Sequence, residues 1–215
     1  MSDVTLRTRN AFLFRDGLIR TAAGLGEFKT EILRKSIHFL IGLSPLLAGL
    51  NYPATVVLLS AGILGYVRME SLRLAGIRVP LVSSLTDMAS RSRDRGHFVL
   101  GPVTLGMGAL LALVMYPSPA ASIAIYALAF GDGFASLVGK SLGCIRPAFL
   151  RGKSLEGSLA CFCAVLVAAY GVSHDYRIAL PAAFTAMVTE ALPLEDYDNL
   201  ALPLTVGLVV SLISR

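Results

Sequence analysis

The stretch AIYALAFGDGFASLVG, residues 124–139, is largely apolar and carries a single charge, Asp132, which stands between Gly131 and Gly133. A second apolar run, AAFTAMVTEAL over residues 182–192, carries Glu190 in the same way. An ionised carboxylate placed in hydrocarbon costs about 2.5–3.5 kcal/mol on insertion scales. Acids kept in such segments are therefore expected to face a polar cavity or a ligand. Both runs point to a membrane bundle doing chemistry on a phosphate or a metal.

Composition supports the bundle. Of 215 residues 55% are hydrophobic and only 15% charged, with a mean hydropathy of +0.70, whereas a soluble domain carries about 25% charged residues. PATVVLLSAGILGYV (53–67) and EGSLACFCAVLVAAYGV (156–172) offer almost no polar face, which argues against a large soluble domain with a greasy core. The fold class expected is all-α: a polytopic membrane protein with about seven transmembrane helices and an N-terminal amphipathic segment. The spans fall near 36–50, 53–67, 98–116, 119–139, 155–172, 178–192 and 200–213. Several are shorter than the roughly 20 residues that cross the hydrocarbon, so they must extend into their flanks, tilt or break. Residues 79–86 can hold a short re-entrant or surface segment.

Charge gives the orientation. Lys and Arg number seven in residues 1–35, six in 68–97 and four in 140–153, and only Arg177 and Arg215 lie elsewhere. With seven spans and the N-terminus inside, these three rich segments share the cytoplasmic face. Residues 11–33 read as an interfacial amphipathic helix interrupted near Gly24 and Gly26, and no signal peptide is expected. The domain division is a cytoplasmic or interfacial segment over 1–30 and a single transmembrane catalytic domain over 31–215. The net charge of +5 is assigned to anionic lipid headgroups and a phosphorylated substrate, not to nucleic acid. Cys161 and Cys163 lack companion ligands and read as small structural residues. The oligomeric state leaves no mark in the sequence.

Four clusters carry candidate chemistry. Glu31, Arg34, Lys35 and His38 fall at i, i+3, i+4 and i+7, one helical face entering the bilayer. Lys35 and Arg34 can cap a span by snorkelling, but His38 lies deeper, and a polyphosphate or carboxylate partner accounts for the whole face. Asp132 between its glycines can bind Mg²⁺ bridging phosphate oxygens. Gly139-Lys140-Ser141 comes next, but Phe134 stands where a phosphate-binding P-loop needs its first glycine, which excludes that motif. In Arg151-Gly152-Lys153-Ser154-Leu155-Glu156-Gly157-Ser158, Lys153 offers a mobile cation and Glu156 can hold metal or orient Lys153. Ser154 and Ser158 can satisfy helix-start amides or touch phosphate. Glu190, Asp196, Asp198 and Asn199 form the last group, with Glu195 and Asp196 read as loop solubilisation. Arg93 and Arg95 are topogenic and can also meet phosphate, and Glu70 can orient an arginine.

These motifs, Glu31…Arg34-Lys35…His38, Phe130-Gly131-Asp132-Gly133…Gly139-Lys140, Gly152-Lys153-Ser154-Leu155-Glu156-Gly157-Ser158 and Glu190…Asp198-Asn199…Pro203, resemble the integral-membrane dolichol kinase, phytol kinase and CTP-dependent diacylglycerol kinase family over approximately residues 30–205. That family is distantly related to phosphatidate cytidylyltransferases. The resemblance implies transfer of the γ-phosphoryl group of CTP to a membrane lipid alcohol, with Mg²⁺, at a cytoplasmic-facing site in a plasma membrane. It implies metal coordination by Asp132 with Glu190 or Asp198, and phosphate binding by Lys140 and Lys153. Arg34 and Lys35 would neutralise outer phosphates, and His38 would meet the lipid hydroxyl or orient a carboxylate. Asn199 would contact cytosine, ribose or Asp198. Two alternatives stand beside it: a phosphatidate cytidylyltransferase, whose long C-terminal acidic and basic signature is not matched by ALPLTVGLVVSLISR (201–215), and a membrane transporter, which would gather polar groups near the midplane.

Overall fold

The computed structural model describes residues 28–77, 96–150 and 152–214, all helix and connecting loop. Most of the expected N-terminal amphipathic segment, the 79–86 segment and Arg91, Arg93 and Arg95 lie outside the described residues. Helix α1 runs over 28–41, then α2 (Ser44–Leu50), α3 (Tyr52–Leu74), α4 (Gly101–Met115) and α5 (Ala120–Tyr126). A π-turn, Ala127–Gly131, joins α5 to α6 (Asp132–Ser141). Then come α7 (Leu155–Ser173), α8 (Tyr176–Ala191) and α9 (Asp198–Ile213).

Four helices are long and apolar enough to cross a membrane: Tyr52–Leu74, Ala120–Ser141, Leu155–Ser173 and Glu195–Ile213. The chain is an integral-membrane protein, but the expectation of about seven spanning helices is corrected to these four among the described residues. Proline and glycine account for the difference. The expected span 36–50 is broken at residues 42–43, where a Cβ on Gly42 would sit 3.0 Å from the Phe39 carbonyl oxygen and 3.1 Å from Ala129 Cβ. Pro45 then opens α2, which has only 7 residues. In place of 98–116, α4 has 15 residues, with proline in its first turn and Tyr116 extended before Pro117. At 1.5 Å per residue it is about 22 Å long, short of the ~30 Å hydrocarbon core. In place of 178–192, α8 has 16 residues and ends at extended Leu192, before Pro193.

The helix Ala120–Ser141 is the centre of the bundle, with 61% of its apolar window buried against 11% for Tyr52–Leu74 at the periphery. Its neighbours press on it through small residues. Ala109 and Ala112 of α4, Ala169 of α7, and Ala179, Ala182, Ala183 and Ala186 of α8 are fully buried, together with Val165, Leu202 and Val206. Without a hydrophobic driving force between helices in lipid, such close packing supplies the association energy. Polar cross-contacts gather the charged helix ends. Glu70, near the end of α3, accepts from Val99 N just before α4, and Asn199, in the first turn of α9, donates to Thr104 in the first turn of α4. Lys153, at the entry to α7, reaches Glu190 at the end of α8 and Asp198 at the start of α9.

Candidate functional site

Helix α1 delivers its polar face inward. Glu31, Lys35 and His38 are 2%, 1% and 3% exposed, as their three- and four-residue spacing requires. Opposite them stands Asp132, the first residue of α6, directly after the π-turn. A π-turn admits one extra residue per turn and re-aims the side chains beyond it, and such turns recur at functional sites. Gly133 lets α1 come close: a Cβ there would lie 2.5 Å from the Phe39 ring. Phe39 also stacks with Phe130 (centroids 6.0 Å apart) and Phe134 (5.3 Å).

Lys35 Nζ donates to Asp132 Oδ2 in a buried ion pair, and His38 Nδ1 lies 3.0 Å from the same oxygen without hydrogen-bond alignment. Glu31 makes a second bridge between α1 and α6, through Oε1 to Arg34 at 2.6 Å and Oε2 to Lys140 at 2.5 Å. Burial alone would raise the Glu31 pKa, but Arg34, Lys35 and Lys140 outweigh it and hold the carboxyl at about 2. Two ion pairs thus fasten α1 to the central helix.

A second group closes the site from the other side. Lys153, just before α7, donates to the Glu190 carbonyl oxygen. Its Nζ lies 3.3 Å from Glu190 Oε1 and 4.0 Å from Asp198 Oδ2. Glu190 Oε2 accepts from Ser158 Oγ at 3.2 Å. Asp198 in turn lies within electrostatic range of Asp132, Lys35 and Arg34, so the two groups form one charged site. Lys153 and Lys140 keep 26% and 44% of their side chains exposed, so neither side chain is sealed inside the bundle.

Three residues singled out in the sequence have partners within the protein, and Ser154 takes the helix-start role that the sequence offered. Ser154 Oγ caps α7 by accepting from Gly157 N at 3.1 Å. Glu156 is half-exposed and accepts the backbone N–H groups of Cys144 and Ile145, each at 3.0 Å, so it anchors the 143–145 loop and does not touch Lys153. Asn199 donates to Thr104 Oγ1 at 3.0 Å and to the Gly101 carbonyl at 3.4 Å. Glu70 does orient an arginine: it takes Arg73 through both oxygens at 2.7 and 2.8 Å and also accepts from Val99 N at 3.0 Å. Thr104 is the residue missed by sequence reading. Its only signal is a lone hydroxyl within GPVTLGMGALLALVM.

Among the described residues no three His, Cys, Asp or Glu side chains converge tightly enough to hold a metal by themselves. Mg²⁺ is usually held by one or two carboxylates plus substrate phosphates instead of an all-protein cage. The donor set suits such a shared ion: Asp132 and Asp198 are carboxylates on separate helices within electrostatic range of each other, flanked by lysines that can take the phosphates.

The chain is similar to phytol, farnesol and diacylglycerol kinases along most of its length. It is 29% identical to a probable phytol kinase 2 of Oryza sativa subsp. japonica, with 87% of this chain and 68% of the relative aligned. It is 26% identical to the farnesol kinase of Arabidopsis thaliana, over 85% of this chain and 66% of the relative. Against a CTP-dependent diacylglycerol kinase 1 of Eremothecium gossypii it is 26% identical, over 84% and 67% respectively. The likeness is to phytol, farnesol and CTP-dependent diacylglycerol kinases, and it supports a lipid kinase activity of this general type. The chain spans about two thirds of the length of those relatives. No family model matches it, and no solved structure does.

Proposed function

We propose that the chain is a CTP-dependent kinase that phosphorylates the hydroxyl of a membrane-embedded alcohol, in the class of polyprenol or dolichol, phytol and diacylglycerol. The observation that carries the reading is the single charged site at one end of an apolar bundle, where Lys35, His38, Asp132, Lys153, Glu190 and Asp198 meet. A phosphoryl transfer needs cations for the phosphates, carboxylates for a metal and a place for the acceptor hydroxyl. The acceptor is apolar, so it reaches the site from the bilayer, while the nucleotide arrives from water.

Lys153, Lys140 and Arg34 bind the phosphate oxygens of CTP. Asp132 and Asp198 would hold Mg²⁺, which would supply charge neutralisation on the phosphates. Glu190 holds Lys153 in place with Ser158. Lys35 and Asp132 hold His38 in place, and the His38 imidazole takes the hydroxyl proton as the lipid oxygen bonds to the γ-phosphorus. The bond from that phosphorus to the β-phosphate oxygen breaks, and CDP leaves. Ser154 and Glu156 shape the entry to α7 and its neighbouring loop. Residues 31–215 form the catalytic domain. The charged face is cytoplasmic, where residues 68–97 and 140–153 also meet anionic headgroups.

The test offers purified protein in lipid micelles each candidate alcohol with Mg²⁺ and CTP. The reading expects one alcohol class to become a phosphomonoester and Asp132→Asn to abolish it. A chain that phosphorylates none of them, or an Asp132→Asn variant that retains turnover, overturns it.

A further inference from the structure

Asp198 is the least firmly held acid of the site. Its Oδ2 comes only to 4.0 Å from Lys153 Nζ, so its position is set by the backbone of the first turn of α9. That turn is locked to α4 in two ways. Asn199, 3% exposed, spends its Nδ2 hydrogens on Thr104 Oγ1 and the Gly101 carbonyl. Gly108, one turn further along α4, has no side chain, and a Cβ there would run into the carbonyl oxygen of Asn199. The two helices therefore touch backbone to backbone beside Asp198.

Thr104 is built to receive the amide. Its hydroxyl donates to the Gly101 carbonyl at 3.0 Å, with Leu100 O at 3.3 Å, a local bond that helical threonine commonly makes. With the hydroxyl proton turned onto its own helix, the oxygen faces Asn199 as an acceptor. The group is 6% exposed, so loss of this acceptor strands a buried donor. We infer that Thr104 is a positioning residue for the transfer reaction, acting through Asn199 to fix the first turn of α9 and the Asp198 carboxylate across from Lys153. The inference rests on the phosphotransfer reading of the site. It also assigns Asn199 to positioning, since both of its amide hydrogens are committed within the protein.

Thr104→Val keeps the shape and removes the acceptor, and Thr104→Ser restores it. Purified wild-type and variant proteins are compared for kcat, for KM of CTP and for the Mg²⁺ concentration that gives half-maximal rate. Their thermal shift on adding Mg²⁺ with a non-transferable CTP analogue is measured alongside. Partners that orient a metal-binding group change activity or metal affinity by about 10–100-fold. Thr104→Val is expected to lose that factor in kcat or Mg²⁺ response with the KM of CTP little changed, to lose the Mg²⁺-dependent thermal shift, and to fold with a lowered unliganded melting temperature because a buried donor is stranded. Thr104→Ser recovers most of the loss. In an Asp198→Asn background Thr104→Val adds no further loss, because the pair acts as one unit. Equal losses in both backgrounds, or none in either, overturn the inference. Asn199→Asp, which replaces the donor by an acceptor, is the second probe, and if both variants fail to fold the contact is a folding requirement and the inference is wrong. A wild-type chain that transfers no γ-phosphoryl group refutes the functional reading instead, and the thermal shift still reports whether Thr104 governs Asp198.

Discussion

Replacing Lys35 by methionine is expected to cost about 3–5 kcal/mol of stability, the usual penalty for stranding one member of a buried ion pair. The Lys35 and Asp132 side chains are 1% and 7% exposed, so neither charge is well solvated. At a contact of about 3 Å and an effective dielectric constant of about 20 their attraction is roughly 5 kcal/mol, which offsets the cost of desolvating both. Without the ammonium, His38 remains beside Asp132 at 3.0 Å but out of hydrogen-bond alignment. The double variant Lys35→Met/Asp132→Asn has no charge to strand and should recover most of the lost stability. Denaturation of the four proteins in one detergent gives the cycle, and phosphoryl transfer measured in parallel should be lost in all three variants. A Lys35→Met protein as stable as wild type would refute the argument. So would a double variant as unstable as the sum of the singles.

The same geometry sets further outcomes. Lys153→Met removes a cation from the site and should lower kcat/KM for the nucleotide at least 100-fold, a loss on the scale of removing one preorganised electrostatic contact, while Glu156→Ala, which only releases the Cys144 and Ile145 amides, should lower it far less; equal losses would put Glu156 in the site. Gly133→Ala places a methyl 2.5 Å from the Phe39 ring and should destabilise by about 1–3 kcal/mol, as overpacking does, in a thermal denaturation series where Gly76→Ala serves to report the cost of a positive-φ position (φ 83) with open space around it. The Glu31 carboxyl, lowered from 4.5 to about 2, contributes stability that is complete above its unfolded pKa and is lost as pH falls through about 2. Glu31→Gln should therefore flatten the acid side of a stability–pH curve and leave its slope between pH 6 and pH 8 unchanged, on the order of zero for this group.

How much of this was written in the sequence differs from residue to residue. The inward face of Glu31, Lys35 and His38 was legible because helical spacing is local, and Asp132 stood out because an acid between glycines in an apolar run has few other reasons to be there. The span count failed where hydropathy ignored backbone chemistry: Gly42 and Pro45 divide one apolar run, Pro102 and Pro117 bound a second at 15 residues, and Pro193 keeps a third from extending past its 16. Glu156 lay at the expected place, but its partners are amides 11 and 12 residues upstream, chosen by a loop conformation that no periodicity encodes. The bond from Asn199 to Thr104 joins residues 95 apart. Only the packing of α4 on α9 makes the hydroxyl in GPVTLGMGALLALVM meaningful.

The central claim is the direction in which CTP is cut. Purified protein in micelles holding candidate alcohols and phosphatidate, with Mg²⁺, is given CTP labelled separately at its α and γ phosphates. A lipid kinase places label in lipid from the γ position alone and releases CDP. Label entering lipid from the α position, with pyrophosphate released, would contradict the account and make the chain a cytidylyltransferase.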